Sequence, residues 1–502
     1  MAFIGYPDAK LLKQPLSDEL VKPQDIIKRV LWGDYADIID TTTSATHTKV
    51  RCRNAEGWVA SELLQAERLL EVNFIDVGQG DGCFLVTPDD KFILIDAGRD
   101  DSMYRFLKWR FNLSHNNYVI PLDYVVMTHS DLDHYGGFRP IVDSGRFTIR
   151  HIYHNGLVER TGFNLIGPVR TVGTEEYITD LCDTFDKVKQ LLDVATNRGN
   201  KLYPNLLHDA YQSATLGLAD IRMLEKGSVI DGYDEQSPIH MEVLAPIPRQ
   251  DEATDGQKYL PYLDEPTPFS THPGWDETKN GHSVVIRLRY GTVSMLLGGD
   301  LNDKAQRYLT VQYTGKDPLS DLTDAERTEM IQRGRAVFQS DLAKSCHHGS
   351  DRFLDDFMAF LHPLATVISS GDNETYTHPR PDTLGAIGKS SRGRRPLIFS
   401  TELARSSEDK KVIKDELLRE VGALFAELDS TTDPVRKKAL QARIVAIRET
   451  LERNVAVYGT ISVRTDGIRV VIAQKKEKKG SGHVLWKLEP DASGELQYVI
   501  NR

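Results

Sequence analysis

The ten residues THSDLDHYGG at 128–137 constrain this chain more than any other stretch. Four side chains able to bind a metal, His129, Asp131, Asp133 and His134, crowd one turn after LDYVVMT, which reads as a buried strand. In extended or turn geometry residues i and i+2 point the same way. His129 and Asp131 can therefore serve one ion while Asp133 and His134 serve a neighbour. Imidazole nitrogen and carboxylate oxygen both suit Zn²⁺, Mn²⁺ or Fe. The bland alternative is a solvated acidic turn with incidental histidines. The strand before it and Gly136-Gly137 after it argue against that.

Length and composition bound the rest. At 502 residues the chain exceeds one ordinary domain, and two or three units are expected. Hydrophobic residues at 40% and charged residues at 27% fit a globular protein. The net charge of -11 argues against a nucleic-acid coat, although a local basic patch responds to nearby phosphates regardless of the total. Cys52, Cys83, Cys182 and Cys346 form no CxxC pair and read as reduced thiols. The first twenty residues lack the pattern of a signal peptide, and no apolar run is long enough to span a bilayer. The expectation is a soluble, cytoplasmic protein without a membrane partner.

Periodicity divides the chain. Residues 1–24, with Pro7, Pro15 and Pro23, read as an irregular arm, and 25–69 as a small β module. Residues 70–404 carry the strands VNFIDV, CFLVT, KFILID and LDYVVMT, with a large insertion at about 155–278. Within that insertion YITDLCDTFDKVKQLLDVA reads as helical, and DIRMLEKGSVI with HMEVLAPI as a strand-like pair. HSVVIRLRYGTVSMLLGGD reads as a hairpin turning at Tyr290-Gly291, and AVFQSDLAKSCHHGS and ATVISSGDNETYTHP as strands ending in His-bearing loops. Residues 405–455 carry two apolar stripes, Ile413 to Leu428 and Leu440 to Leu451, which predict a helical hairpin. Residues 456–502 are read as a β segment completing the domain at 70–404, with a hairpin at Asp466-Gly467.

The HxDxDH turn, with DVGQGD at 76–81 and CHHGS at 346–350, resembles the metallo-β-lactamase superfamily. Within it the pattern looks like the hydrolase domain of ComEC-type proteins, with Asp131 where the superfamily signature HxHxDH has its second histidine. The resemblance spans roughly 70–400 plus GTISVRTDG, and KVRCRNAEGWVASELL at 49–64 resembles a bacterial SH3-like module. An N-terminal β extension of the next domain is the other reading of that stretch. The implied fold is α/β: an αββα sandwich with a small SH3-like β module before it and a helical-hairpin insertion near the C-terminus.

The resemblance also implies a site. His282 would complete the first metal and Asp300 would bridge two ions, while the second metal takes either His347 or His348. His378, in THPRP, is read as a ligand, a proton donor to the leaving group or a phosphate contact. His154 lines the rim or lies on the surface. Asp76, Gln79 and Asp81 orient ligands. Lys344, Arg352 and Arg380 flank the histidine loops and suit an anionic substrate, and RGRRP at 392–396 adds charge. The expected cofactors are two divalent ions, Zn²⁺ or Mn²⁺, with the hard oxygen of Asp131 favouring Mn²⁺.

The leading expectation is therefore a phosphodiesterase or nuclease, with Asp133 and His378 in catalysis and a nucleic acid or nucleotide as substrate. Hydrolysis of a lactone or thioester is the rival within the fold. A metal-bearing scaffold that meets a protein partner or itself, through the SH3-like module or helical hairpin, is the reading of another class.

Overall fold

Alternation along the central strands makes the architecture. In Gly82–Val86 the side chains of Cys83 and Leu85 go to one apolar core and those of Phe84 and Val86 to another. Ile93 and Ile95 oppose Leu94 in the same way on Phe92–Ala97, as Tyr124 and Val126 oppose Leu122 and Val125 on Ile120–Met127. A sheet apolar on both faces must be covered on both.

The computed structural model describes residues 2–500 apart from 54, 115, 163, 251–255, 264–274, 372–375, 403–413, 452–458 and 477–481. One sheet has ten strands, running from Asp220–Met223 at one edge through Ile120–Met127 and Leu70–Phe74 to Leu496–Tyr498 at the other. The second has six strands in the order Ile239–Ala245, Val285–Tyr290, Val293–Leu297, Leu342–Lys344, Ala365–Ile368 and Leu397–Ser400. Their facing sides share one core, to which Val72, Leu85, Ile95, Ile286, Met295 and Val367 belong. Helices Ser102–Arg110, Phe138–Asp143, Phe185–Leu192 and Leu202–Gln212 cover the outside of the first sheet through Phe106, Phe138, Val188 and Leu207. Helices Asp303–Thr314, Asp324–Phe338, Asp355–Leu361 and Pro381–Ser390 cover the second through Leu309, Phe338, Phe360 and Ile387. The layers run helix, sheet, sheet, helix.

Parallel pairing places the site. Phe92–Ala97, Ile120–Met127 and Phe147–His154 run parallel, as do Val293–Leu297, Leu342–Lys344, Ala365–Ile368 and Leu397–Ser400. Loops leaving the carboxyl ends of both sets meet at one rim, the usual crevice of such sheets.

Several elements differ from the sequence reading. The arm at 1–24 contributes strands Ala2–Ile4 and Asp8–Leu12 to a seven-stranded N-terminal sheet around Ile4, Leu11, Val30, Val50 and Val59. Strands of three and five residues are too short to show a period. The stretch at 155–278 is not wholly an insertion. Asp220–Met223 edges the ten-stranded sheet and Ile239–Ala245 the six-stranded one, so the two do not pair with each other. Only Val169–Val172, Glu175–Ile178, Lys258–Pro261 and Arg249–Gln250 form a separate small sheet. The helical reading of 177–195 starts late, because Glu175–Ile178 is a strand and the helix begins at Phe185, after its Thr184 cap. AVF at 336–338 ends a helix, and the strand there is Leu342–Lys344.

Near the C-terminus, helices Lys414–Ser430 and Pro434–Leu451 pack together, with Leu440, Ile444 and Ile447 buried. Ile413, and the flanks at 403–413 and 452–458, lie outside the described residues. Ile461–Thr465 pairs with Leu70–Phe74, and Val470–Lys475, His483–Pro490 and Leu496–Tyr498 extend the sheet beyond it. Among the described residues, no helix is long and apolar enough to cross a membrane.

Candidate metal centre

His129 follows the strand Ile120–Met127, and Asp131 caps a short helix, Leu132–Tyr135, that carries Asp133 and His134. The turn is clamped by glycines that admit no side chain. A Cβ on Gly80, whose φ is +114, would meet the Asp133 carbonyl oxygen at 1.9 Å, and one on Gly137 would meet that of Ala97 at 2.0 Å. DVGQGD is thereby pressed against the backbone of the His/Asp turn, and the Asp81 amide donates to the Asp133 carbonyl at 3.3 Å.

A buried cluster results. His134 Nε2 lies 3.2 Å and His348 Nε2 3.1 Å from Asp300 Oδ2, and His348 Nε2 lies 3.6 Å from Asp133 Oδ2. Asp133, His134 and His348 offer ligand atoms within 4.8 Å of one another, as do His129, His134 and Asp300. The far side of each ring is held. Asp96 Oδ2 is 2.8 Å from His134 Nδ1, while His348 Nδ1 reaches the Ser369 carbonyl at 3.1 Å and Asp81 Oδ1 at 3.2 Å. Those contacts leave each Nε2 aimed into the cluster, buried and without a hydrogen bond. Buried polar atoms without partners are costly, and a cation accepting two imidazole nitrogens and two carboxylates removes that cost. The donor set fits a divalent metal.

The charges agree. Burial opposes ionisation of Asp133, but His348 and His134 outweigh it and hold the carboxyl below its usual range. Burial likewise works against His134 charge, and Asp300 with Asp96 more than compensates.

The adjacent histidines separate. Both take left-handed backbone angles, with φ of 48 and 52. His348 is buried in the cluster, whereas His347 lines the open cavity, its Nε2 3.9 Å from Asp300 Oδ2. That cavity, about 640 Å³, holds Asp131, Asp133 and Asp300 at its floor, and Arg99, Arg352, Arg380, Tyr376 and His378 also line it. The His378 ring centroid is 5.9 Å from that of His347 and 6.5 Å from that of His348.

Three expected site residues sit elsewhere. His282 is buried away from the cluster and its Nε2 donates to the Pro261 carbonyl at 2.7 Å; burial brings its pKa down to about 4. His154 does not line the rim: it is fully buried, and its Nδ1 accepts from the Gly156 amide at 3.2 Å. Lys344 cannot reach a substrate. Its ammonium is buried under the cluster, donating to the Gly299 carbonyl at 2.9 Å, touching the Asp81 carboxylate and lying 3.6 Å from Asp300 Oδ1.

Other contributors went unnoticed in the sequence. Asp96 accepts from the Thr128 amide (2.8 Å) and hydroxyl (2.7 Å) while holding His134; its position at the end of the apolar strand KFILID was a usable signal. Ser283 Oγ lies 3.3 Å from His129 Nδ1 and accepts from the Asp300 amide at 3.0 Å. Lys279 and Asn280 beside Asp131 gave no signal at all.

Residues 82–337 match the metallo-beta-lactamase superfamily. The chain belongs to that superfamily. It is also 23% identical over 337 residues to ComE operon protein 3 of Bacillus subtilis (strain 168), covering 64% of this chain and 31% of that protein. The chain thus spans about a third of that relative's length. A Parabacteroides distasonis ATCC 8503 crystal structure, named for a metal-dependent hydrolase, aligns over 72% of this chain and 99% of its own at 11% identity and a TM-score of 0.28.

Proposed function

We propose that this protein is a divalent-metal-dependent hydrolase of phosphodiesters, a nuclease or a nucleotide-cleaving enzyme. The observation that carries it is the cavity itself, whose lining joins the carboxylates and imidazoles of the cluster with three arginines, Arg99, Arg352 and Arg380. Asp133, His134, His348 and Asp300 would hold the metal. A bound divalent ion supplies Lewis acidity, polarising the attacked group and making water nucleophilic near neutral pH.

The chain's own residues do the rest. Asp96 and the Ser369 carbonyl fix the two imidazoles, so that the ligand atoms need no rearrangement. Arg352 and Arg380 each face a carboxylate, Glu277 at 2.6 Å and Asp351 at 3.8 Å. Guanidinium groups match phosphate geometry in a way a lysine does not, and Arg99 would take a phosphate oxygen. His378, on the cavity wall near His347, suits protonation of the leaving oxygen. The resemblance to ComEC-type domains adds to this choice of substrate.

The test is an assay of the metal-loaded protein on bis-p-nitrophenyl phosphate, single-stranded DNA and a panel of lactones and thioesters, with Mn²⁺ and with Zn²⁺. Cleavage of the phosphodiesters is expected. Turnover of the carbonyl esters alone would replace this reading with the rival one, and a metal-bound protein inert toward all of them would favour a scaffold.

A further inference from the structure

The residues around the cluster divide into two unequal halves. Asp133, His134 and His348 offer ligand atoms within 4.8 Å of one another, and Asp300 Oδ2 lies 3.2 Å from His134 Nε2 and 3.1 Å from His348 Nε2. His129 and Asp131 form the other half, where the sequence resemblance implies the first ion; His129 also offers a ligand atom within 4.8 Å of those of His134 and Asp300. That half is already supplied with positive charge.

The cation is Lys279, on helix Trp275–Gly281, with its side chain 7% exposed. Its Nζ lies 2.5 Å from Asp131 Oδ1, and 3.1 and 3.3 Å from Asp276 Oδ1 and Glu159 Oε1. The other Asp131 oxygen is engaged too: with the Asn280 amide turned so that its nitrogen faces the carboxylate, it donates to Asp131 Oδ2 at 2.7 Å. His282, the third residue expected for that ion, points to the Pro261 carbonyl. A divalent ion seated on Asp131 would stand beside a fixed ammonium in a buried site, where like charges repel strongly.

We infer that the Lys279 ammonium stands in for the first metal ion, so that the centre holds one divalent cation, bound by Asp133, His134, His348 and Asp300. Asp131 then serves as the counter-charge of Lys279 and as part of the cavity floor. This rests on the metal reading proposed above.

The experiment counts ions. Metal-free full-length protein is titrated with Mn²⁺ at equilibrium, with bound metal measured by elemental mass spectrometry and spin resonance. One ion per chain and the spectrum of an isolated Mn²⁺ are expected; two ions with an exchange-coupled spectrum would overturn the inference. Asp131→Asn should leave the Mn²⁺ affinity within about twofold, whereas Asp133→Asn, which removes a direct ligand, should weaken it by more than the roughly 10- to 100-fold that loss of an outer-shell partner costs. A comparable loss on Asp131→Asn in a protein with unchanged circular dichroism would make Asp131 a ligand and sink the inference alone. No bound ion, or no effect of Asp133→Asn, would sink the metal reading and this inference with it. The wild-type ion count requires no variant to fold.

Discussion

Arg464 and Asp34, 430 residues apart in the chain, pair at 2.9 Å with both side chains 3% exposed. The same guanidinium donates to the Trp32 carbonyl at 2.7 Å, and Arg53 donates to the same Asp34 oxygen at 2.7 Å. This network ties the N-terminal sheet to the ten-stranded sheet. Removing one partner of a buried pair strands the other, which costs about 3–5 kcal/mol. Arg464→Met is therefore expected to lower the unfolding free energy by about 3 kcal/mol, Arg53 sparing part of the loss. Urea unfolding followed by tryptophan fluorescence measures this, and Asp34→Asn added to Arg464→Met should recover some of it.

Glu71, beside that network, predicts an acid limb in stability. Burial opposes its charge, but Arg110, Arg464 and Arg53 bring its pKa down to about 2 from 4.5. A carboxyl depressed in the folded state stabilises above its unfolded pKa and loses that contribution as pH falls through the folded value. The loss should run from about pH 4.5 down to about 2. Its size is expected to be about 2 kcal/mol, less than the carboxyl shift alone implies. The reason is Arg110, whose own pKa burial and two neighbouring arginines lower to about 10. Thermal unfolding across pH 2–6 should show a steep acid limb that Glu71→Gln flattens.

Asp96 does not line the large cavity over the cluster, yet it is expected to govern metal affinity. It anchors His134 Nδ1 at 2.8 Å, with the Thr128 hydroxyl at 3.4 Å beside it, through a carboxylate itself fixed by Thr128. Asp96→Asn should weaken metal binding by about 10- to 100-fold with little change in fold. Competition with a chromophoric chelator reads the affinity, and circular dichroism reads the fold.

Arg99 should act on substrate and leave the metal alone. It lines the cavity, and among the described residues no carboxylate pairs with it. A charge-assisted hydrogen bond contributes about 1.5–3 kcal/mol, so Arg99→Ala is expected to raise KM for a phosphodiester by about tenfold or more. Metal content should be unchanged. An unchanged KM would remove Arg99 from substrate binding.

The sandwich and its rim were legible where the chain is periodic. Strands such as VNFIDV and KFILID carry both cores in their alternation, and HSVVIRLRYGTVSMLLGGD delivers Asp300 at the end of a hairpin that turns after Tyr290. The metal turn could be read because its four donors are contiguous. What could not be read was contact between distant loops. Lys279 reaches Asp131 only because helix Trp275–Gly281 folds back across the floor, and no local pattern announces that. His282 has the right neighbours in sequence and the wrong direction in space, since its ring is captured by a carbonyl twenty-one positions earlier. Residues 1–24 and 155–278 failed for a simpler reason: their strands are short and their partners lie far along the chain.

The pairing of Leu70–Phe74 with Ile461–Thr465 has a consequence for biosynthesis. Ser462 and Asn73, hydrogen-bonded at 2.6 Å across that seam, are 389 residues apart. At about 5–20 residues per second, the early strand waits roughly 20–80 s on the ribosome before its neighbour exists. Throughout that interval Leu70, Val72 and Phe74 line an open sheet edge, the kind of surface that recruits foreign strands. The nascent chain is thus most exposed to aggregation in the middle of its own translation, and a chaperone that shields strand edges would act on it before the last hairpin is made.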